Sequence, residues 1–282
     1  MIQKSYDNTP SLYLIPTPIG NLEDITMRAL NILKFVDLIL CEDTRDTGVL
    51  LKNYGIKKKL ISCHEHNEDS IISKVISYLD EGLNIGLVTD QGTPIISDPG
   101  YIVAKGVIEK GYNVISLPGA TAFVPALTMS GLEPSPFLFY GFLSAKNNKQ
   151  QKELKELKNC KFTIIFYESV HRLATTLKNM LDILGDRNIC IARELSKIYE
   201  EVARDKISNL IPLVDTMKGE FVLVVEGNKE IIDYSSIDVV CHVKLYLDDG
   251  FSEKEAIKLV AKERNISKSI IYKDYHDNKK VN

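Results

Sequence analysis

Glu42, Asp43, Thr44 and Arg45 follow one another at the end of an apolar run, in CEDTRDTG. Carboxylates, a hydroxyl and a guanidinium in that order can orient a sugar hydroxyl or grip a phosphate, which the planar Arg fork suits. The same residues also make an acid-capped helix start with its own ion pair, and the sequence leaves both open. LVTDQGTPIISDPG, Leu87 to Gly100, sets a polar stretch from Asp90 to Gly100 behind another apolar run. A connection in an α/β unit needs only about 2 to 6 residues, so the surplus points to a ligand. FYESVHRL places Tyr167, Glu168, His171 and Arg172 close together behind a strand, roughly on one helical turn. They can hold a nucleotide or supply a general base, or Glu168 or Ser169 can simply cap a helix. SCHEHNED puts His64 and His66 two apart, so that both share one face of a strand. Without a third ligand they do not define a zinc site, and no metal is expected.

These residues need a frame. Apolar runs Leu12 to Ile15, Leu38 to Cys41, Lys59 to Cys63, Asn84 to Val88 and Asn113 to Leu117 alternate with helical spacing. That alternation predicts a parallel sheet with crossover helices, an α/β fold. Ile71, Ile72, Val75, Ile76 and Leu79 mark the clearest of those helices. The loops after the first, second and fourth strands, Pro16 to Asp24, Glu42 to Arg45 and Asp90 to Gly100, then share the sheet edge where such folds place ligands. Gly20 stands alone in the first of them, so no GxGxxG dinucleotide fingerprint is present.

GLEPSPF breaks the pattern near residue 134. Beyond it, Phe137 to Phe142, Phe162 to Tyr167, Ile189 to Arg193, Tyr199 to Arg204 and Phe221 to Val225 predict a second sheet. The third and fourth runs are close enough to be antiparallel neighbours, so this sheet is expected to be mixed. The division expected is 1–134, 135–230 and a helical tail, 231–282. In the tail, Ser252 with Glu255 forms a capping box and Ser267 caps a second helix, a spacing like a helix-turn-helix.

The chain has 282 residues, 26% of them charged, and a net charge of -3, which excludes a uniformly electropositive protein. Local basic stretches remain: Ala145 to Lys161 carries six lysines against two glutamates, a net +4, and Ser252 to Lys280 carries a net +3. Either can meet a phosphate backbone or be a solvated helix face. Five cysteines without a CxxC pair fit a reducing compartment, and neither a signal peptide nor a membrane-length apolar run is present. A cytoplasmic location is expected.

LYLIPTPIGNLEDITMRAL, CEDTRDTGVLL, TDQGTPIISDPG and FYESVHRL, in this order and spacing, resemble the 16S ribosomal RNA 2'-O-ribose cytidine methyltransferases of the tetrapyrrole methylase superfamily. The resemblance runs from about Leu12 to Gly227 and extends into the tail. It implies two α/β domains with S-adenosylmethionine in the cleft between them, a homodimer, and 16S ribosomal RNA or the assembled small subunit as partner. Carried over by position, the cofactor residues are Pro18, Ile19, Gly20, Asp90, Gly92, Thr93, Pro94, Ser97, Gly119, Ala120, Thr121 and Tyr167. Gln91 departs from the family, which usually carries alanine there.

Removing the proton of the ribose hydroxyl calls for a base, for which Glu168 and His171 are the leading candidates, with Glu42, Asp43 and His64 as rivals; the resemblance fixes the cofactor residues better than the base. Arg45, His66, Arg172, Arg193 and Lys268 are the expected RNA contacts. Two other readings stay open, a small-molecule methylase acting on a tetrapyrrole-type ring and a non-enzymatic regulator with a helix-turn-helix reader.

Overall fold

The computed structural model describes residues 2–5, 7–64, 67–229, 237–248, 250–264 and 266–278. The chain forms two compact units, 1–228 and 229–282.

The first unit opens with β1 (Ser11–Leu14), α1 (Met27–Phe35), β2 (Leu38–Cys41), α2 (Thr44–Asn53), β3 (Lys59–Ser62), α3 (Glu68–Asp80), β4 (Ile85–Leu87), α4 (Tyr101–Glu109), β5 (Asn113–Ser116) and α5 (Phe123–Met129). The five strands pair in parallel in the order β3-β2-β4-β1-β5. β1, β2 and β4 are buried along their whole length, because helices cover both faces. Leu12, Leu38, Leu40, Ile85 and Leu87 pack on α3 and α4, while Tyr13, Ile15, Ile39 and Cys41 pack on α1 and α2. The alternation along each strand thus assigns its side chains to two separate apolar layers.

After α5 the chain passes, through the prolines near residue 134, to a second sheet. This part comprises β6 (Phe137–Phe142), α6 (Asn147–Leu157), β7 (Thr163–Ser169), α7 (Leu173–Leu184), β8 (Asn188–Arg193), β9 (Glu201–Lys206), the short α8 (Ile207–Leu210) and β10 (Glu220–Val225). Its order is β6-β7-β10-β8-β9, with β6 parallel to β7 and every other pair antiparallel. β8 and β9 are the antiparallel neighbours their closeness in sequence predicted. On one face Ile164, Phe166, Ile191 and Leu223 pack on α6 and α7. The other face, with Ile165, Ala192, Val222 and Tyr167, packs on α5. The six lysines from Lys146 to Lys161 are all exposed, while Gln150, Leu154 and Leu157 turn α6 inward.

One local expectation is corrected. Tyr167, Glu168 and Ser169 belong to β7, and α7 starts only at Leu173 with Arg172 as its N-cap. The strand continues two residues further, through the polar Glu168 and Ser169, so Tyr167 and Glu168 point to opposite faces of a sheet instead of sharing a helical turn, and neither Glu168 nor Ser169 caps the helix.

The second unit holds α9 (Val239–Asp248), α10 (Glu253–Glu263) and α11 (Lys268–Asn278). Their core is Val240, Val243, Ala256, Ile257, Val260, Ala261, Ile271 and Tyr275. The Ser252–Glu255 capping box starts α10. The expected boundary at 230 and the turn residue Asn265 lie outside the described residues. Among the described residues no helix is long and apolar enough to cross a membrane.

Candidate active site

The loops at the C-terminal edge of the first sheet are joined backbone to backbone. Thr17 and Gly92 exchange hydrogen bonds at 2.9 and 3.0 Å, and the Thr17 hydroxyl donates to the Thr89 carbonyl at 3.1 Å. The Thr93 hydroxyl donates to the Ala120 carbonyl at 2.9 Å, tying the loop after β4 to the loop after β5. Gly119 lies so close to Pro16 that a Cβ there would meet the proline Cβ at 2.5 Å. Gly92 and Gly100 take left-handed φ of 86° and 119°, and two non-glycine residues, Ile95 and Ser97, do so as well at 77° and 66°. Strained backbone of this kind persists where surrounding structure holds it, commonly at functional sites.

Between these loops and the second sheet lies a cavity of about 510 Å³. From the first sheet it is lined by Ile19, Glu42, Asp90, Gln91, Gly92, Thr93, Ile96, Ser97, Asp98, Thr121 and Ala122. From the second sheet come Phe142, Tyr167, Glu168, Ser169, Val170, Ala192 and Leu195, with Gly219 to Val222. An adjacent cavity takes in Gly119, Ala120 and again Ile19 and Thr121.

Of the residues expected to hold a cofactor, the structure therefore brings Ile19, Asp90, Gly92, Thr93, Ser97, Thr121 and Tyr167 to the main cavity and Gly119 and Ala120 to its neighbour. Pro18 and Pro94 are buried within their own loops, and Gly20 lies under Lys197. The Thr121 hydroxyl is buried and has no hydrogen-bond partner among the described residues. Such a group costs free energy unless a ligand satisfies it.

The polar side of the cavity is acidic. Burial raises the Glu42 carboxyl above the usual range, and repulsion from Asp90 and Asp98 raises it further. Asp90 and Asp98 are raised as well, in both cases chiefly by burial. The buried Thr89 hydroxyl donates to Asp98 Oδ1 at 2.7 Å and also meets the Glu42 carboxyl. Burial pushes the Tyr167 phenol up to about 12, and its oxygen meets the backbone of Phe123 and Ala122. Three carboxylates and one orphaned hydroxyl lining the same cavity favour a ligand that carries positive charge and at least one hydrogen-bonding group.

The candidate bases separate by position. Glu42 lines the cavity. Asp43 caps α2 and grips Arg45 at 2.5 Å, which holds its carboxyl down at about 2. Glu168 is 3% exposed, and its carboxylate accepts from Arg172 Nε at 3.1 Å, Arg172 Nη2 at 3.2 Å and the Thr176 hydroxyl at 2.6 Å. His171 is exposed on the turn before α7 and does not line the cavity, whereas His64 lies near Glu42 and lowers its carboxyl.

Among the expected RNA contacts, Arg45 and Lys268 are exposed. Arg172 is spent on Glu168 and on the Leu143 carbonyl, and Arg193 on Glu201 and on the Lys218 carbonyl. His66 lies outside the described residues. Asp98, Ile96, Phe142, Leu195 and the Gly219 to Val222 stretch were not singled out in the sequence. Asp98 lies within the polar stretch from Asp90 to Gly100, but nothing local marks the others.

Two facing α/β sheets with a cavity at the loop edge of the first define the tetrapyrrole methylase class. The model of the tetrapyrrole (corrin/porphyrin) methylases matches residues 11–211. Among solved structures, uroporphyrin-III-C-methyltransferase from Thermus thermophilus has a TM-score of 0.56 at 19% identity, covering 77% of this chain and 94% of that one. Diphthine synthase has a TM-score of 0.56 at 12% identity, over 76% and 89% of the two chains. Closer in sequence is ribosomal RNA small subunit methyltransferase I of Bacillus subtilis (strain 168), 49% identical over 94% of each chain. Its counterpart from Escherichia coli O157:H7 is 41% identical over 96% of each. The chain belongs to this ribosomal RNA small subunit methyltransferase I family.

Proposed function

We propose that the protein transfers the methyl group of S-adenosylmethionine to the 2'-hydroxyl of a cytidine in the decoding region of 16S ribosomal RNA, in the assembled small subunit. The observation that carries this reading is the 49% identity over 94% of both chains with a relative named for small-subunit ribosomal RNA methylation. The donor set agrees with the cofactor. Glu42, Asp90 and Asp98 complement a cation, the Thr121 hydroxyl is free to bond a polar group, and Ile19, Ala192 and Val222 supply an apolar wall.

S-adenosylmethionine supplies a methyl carbon already activated by a positive sulfur. Bound in this cavity, the cofactor would supply that carbon to the ribose oxygen and leave as a neutral thioether. What the protein adds is alignment, worth roughly 7–11 kcal/mol where it is complete, and an acceptor for the hydroxyl proton. Glu42 is the acceptor in this reading, because it alone of the five candidates lines the cavity with a carboxyl not committed to a cation. Glu168 instead positions β7 against α7 through Arg172. Asp90, Thr93, Thr121 and the backbone around Gly92 hold the cofactor, and Tyr167 closes it from the second sheet. Arg45 and Lys268 meet phosphates, and two copies of the chain work as a dimer. The division of labour follows the boundaries 1–134, 135–230 and 231–282.

The test is transfer of labelled methyl from S-adenosylmethionine to small subunits from cells lacking the protein, followed by mapping of the modified nucleotide. An alkali-resistant 2'-O-methylcytidine is the expected product. Cofactor binding without label on subunits or naked RNA would overturn the ribosomal assignment.

A further inference from the structure

Phe142 lines the cavity and yet is 53% exposed. Its position results from an irregularity in β6. Leu138 and Tyr140 point to the α6–α7 side of the sheet, and simple alternation would send Phe142 there too. The pairing with β7 instead shifts between Phe139 and Gly141, so that Phe139 sits beside Ile165, Gly141 beside Phe166 and Phe142 beside Tyr167. One extra residue in the strand thus re-aims Phe142 toward the cavity, a use of bulges common beside active sites. Gly141 takes φ 80° there, and a Cβ on it would stand 3.0 Å from the Ser97 hydroxyl in the loop after β4.

The ring is also braced. Phe142 meets Tyr167 edge-on at 5.5 Å and 64°, Tyr167 meets Phe139 at 5.1 Å, and Phe139 meets Phe123 at 4.7 Å. A rigid aromatic held half in solvent at the mouth of an acidic cavity gains nothing in folding from that exposure. Ile96, also exposed and also lining the cavity, adds a second apolar surface on the loop after β4.

We propose that Phe142 is the stacking platform for the substrate nucleobase, holding it at the cavity mouth while the attached ribose reaches the methyl donor. The proposal rests on the RNA reading above. A base must leave its helix to reach a closed site, and single-stranded bases are commonly held on aromatic side chains. The acidic interior repels phosphates and accepts hydrogen bonds from an exocyclic amine, so a flat, neutral, amine-bearing group suits the space in front of the ring.

The experiment compares full-length wild type with Phe142→Ala, Phe142→Leu and Phe142→Trp on small subunits lacking the modification. Cofactor affinity is measured alongside by calorimetry. Stacking on one base is worth about 1–3 kcal/mol, so Phe142→Ala is expected to lower kcat/KM for subunits roughly 5- to 150-fold. Phe142→Trp restores most of this, Phe142→Leu little, and S-adenosylmethionine affinity stays within about twofold in all three. An unchanged kcat/KM in Phe142→Ala overturns the proposal, as does a parallel loss of cofactor affinity, which would make the ring part of the cofactor site. Cofactor binding without transfer in the wild type would instead overturn the RNA reading itself.

Discussion

Lys197 crosses directly over Gly20: a Cβ on Gly20 would stand 2.3 Å from Lys197 Cγ. The lysine cannot swing aside freely, because its ammonium is bonded to Glu194 at 3.1 Å and to Glu220 at 2.7 Å. The preceding Ser196 hydroxyl donates to the Asp24 carboxylate. The loop after β8 is thereby fastened to the loop after β1, with Glu194 and Ser196 in left-handed backbone at φ 49° and 70°.

Gly20→Ala should therefore overpack this crossing and lower stability by about 1–3 kcal/mol. For a unit of this size that is roughly 2–12 °C in Tm. Combining it with Lys197→Ala should cost less than the sum of the two single changes, because the collision is removed with the lysine stem. Strict additivity in thermal unfolding would show that the two residues do not meet.

For Glu42 the expected outcomes have opposite signs in activity and stability. Its carboxyl is raised from 4.5, first by burial and then by Asp90 and Asp98. As proton acceptor it works ionised, so kcat/KM should climb with pH through a value above 4.5. Glu42→Gln should lower the rate about 10²- to 10⁴-fold and remove that limb. For stability, a raised folded-state value means the contribution is complete below 4.5 and is lost as pH rises through the folded value. The glutamine variant should match wild type near pH 4 and melt higher than wild type near pH 7. Full activity with an unaltered pH profile would remove Glu42 from the mechanism.

Much of this site was legible because its chemistry is local in sequence. Asp90, Gly92, Thr93 and Ser97 lie in one loop whose surplus polar length is visible without a structure, and all four reach the cavity. Strand runs such as Leu38 to Cys41 were equally readable, since parallel strands buried on both faces are continuously apolar. Phe142 was not, because a bulge depends on pairing with β7 rather than on any residue in β6 itself. Glu168 was readable as a charged residue near the site but not as a buried partner of Thr176, eight positions further along the chain. Where β7 ends was not readable either, because the strand continues from Thr163 through the polar Glu168 to Ser169 with no break signal.

Glu168 leads to a prediction that separates support from catalysis. The buried carboxylate is balanced by Arg172 and Thr176, and removing one partner of such a pair costs about 3–5 kcal/mol. Glu168→Ala should lower Tm by roughly 6–20 °C. The molecules that remain folded at low temperature should keep most of their transfer rate. A variant with wild-type Tm and no transfer would return Glu168 to the role of base.

The helical unit carries its own titrating group. His242 is 1% exposed; its Nδ1 accepts from Arg264 Nε at 3.1 Å, and its Nε2 lies 3.0 Å from Glu263 Oε2. A guanidinium only donates, so Nδ1 keeps its lone pair and the single ring proton sits on Nε2, donating to Glu263. Burial lowers the imidazole below 6.5 and the Arg264 charge adds to this, against the opposing pull of Glu263. A depressed value means that stability is complete above 6.5 and is lost as pH falls through the folded value, because the unfolded chain takes the proton first. Hydrogen exchange on the intact chain should show protection of α9, α10 and α11 falling as pH drops below 6.5, and His242→Leu should flatten that dependence. Equal opening free energies above and below 6.5, with His242 in place, would mean that the imidazole keeps its ordinary value in the folded unit, the pull of Glu263 cancelling burial and Arg264.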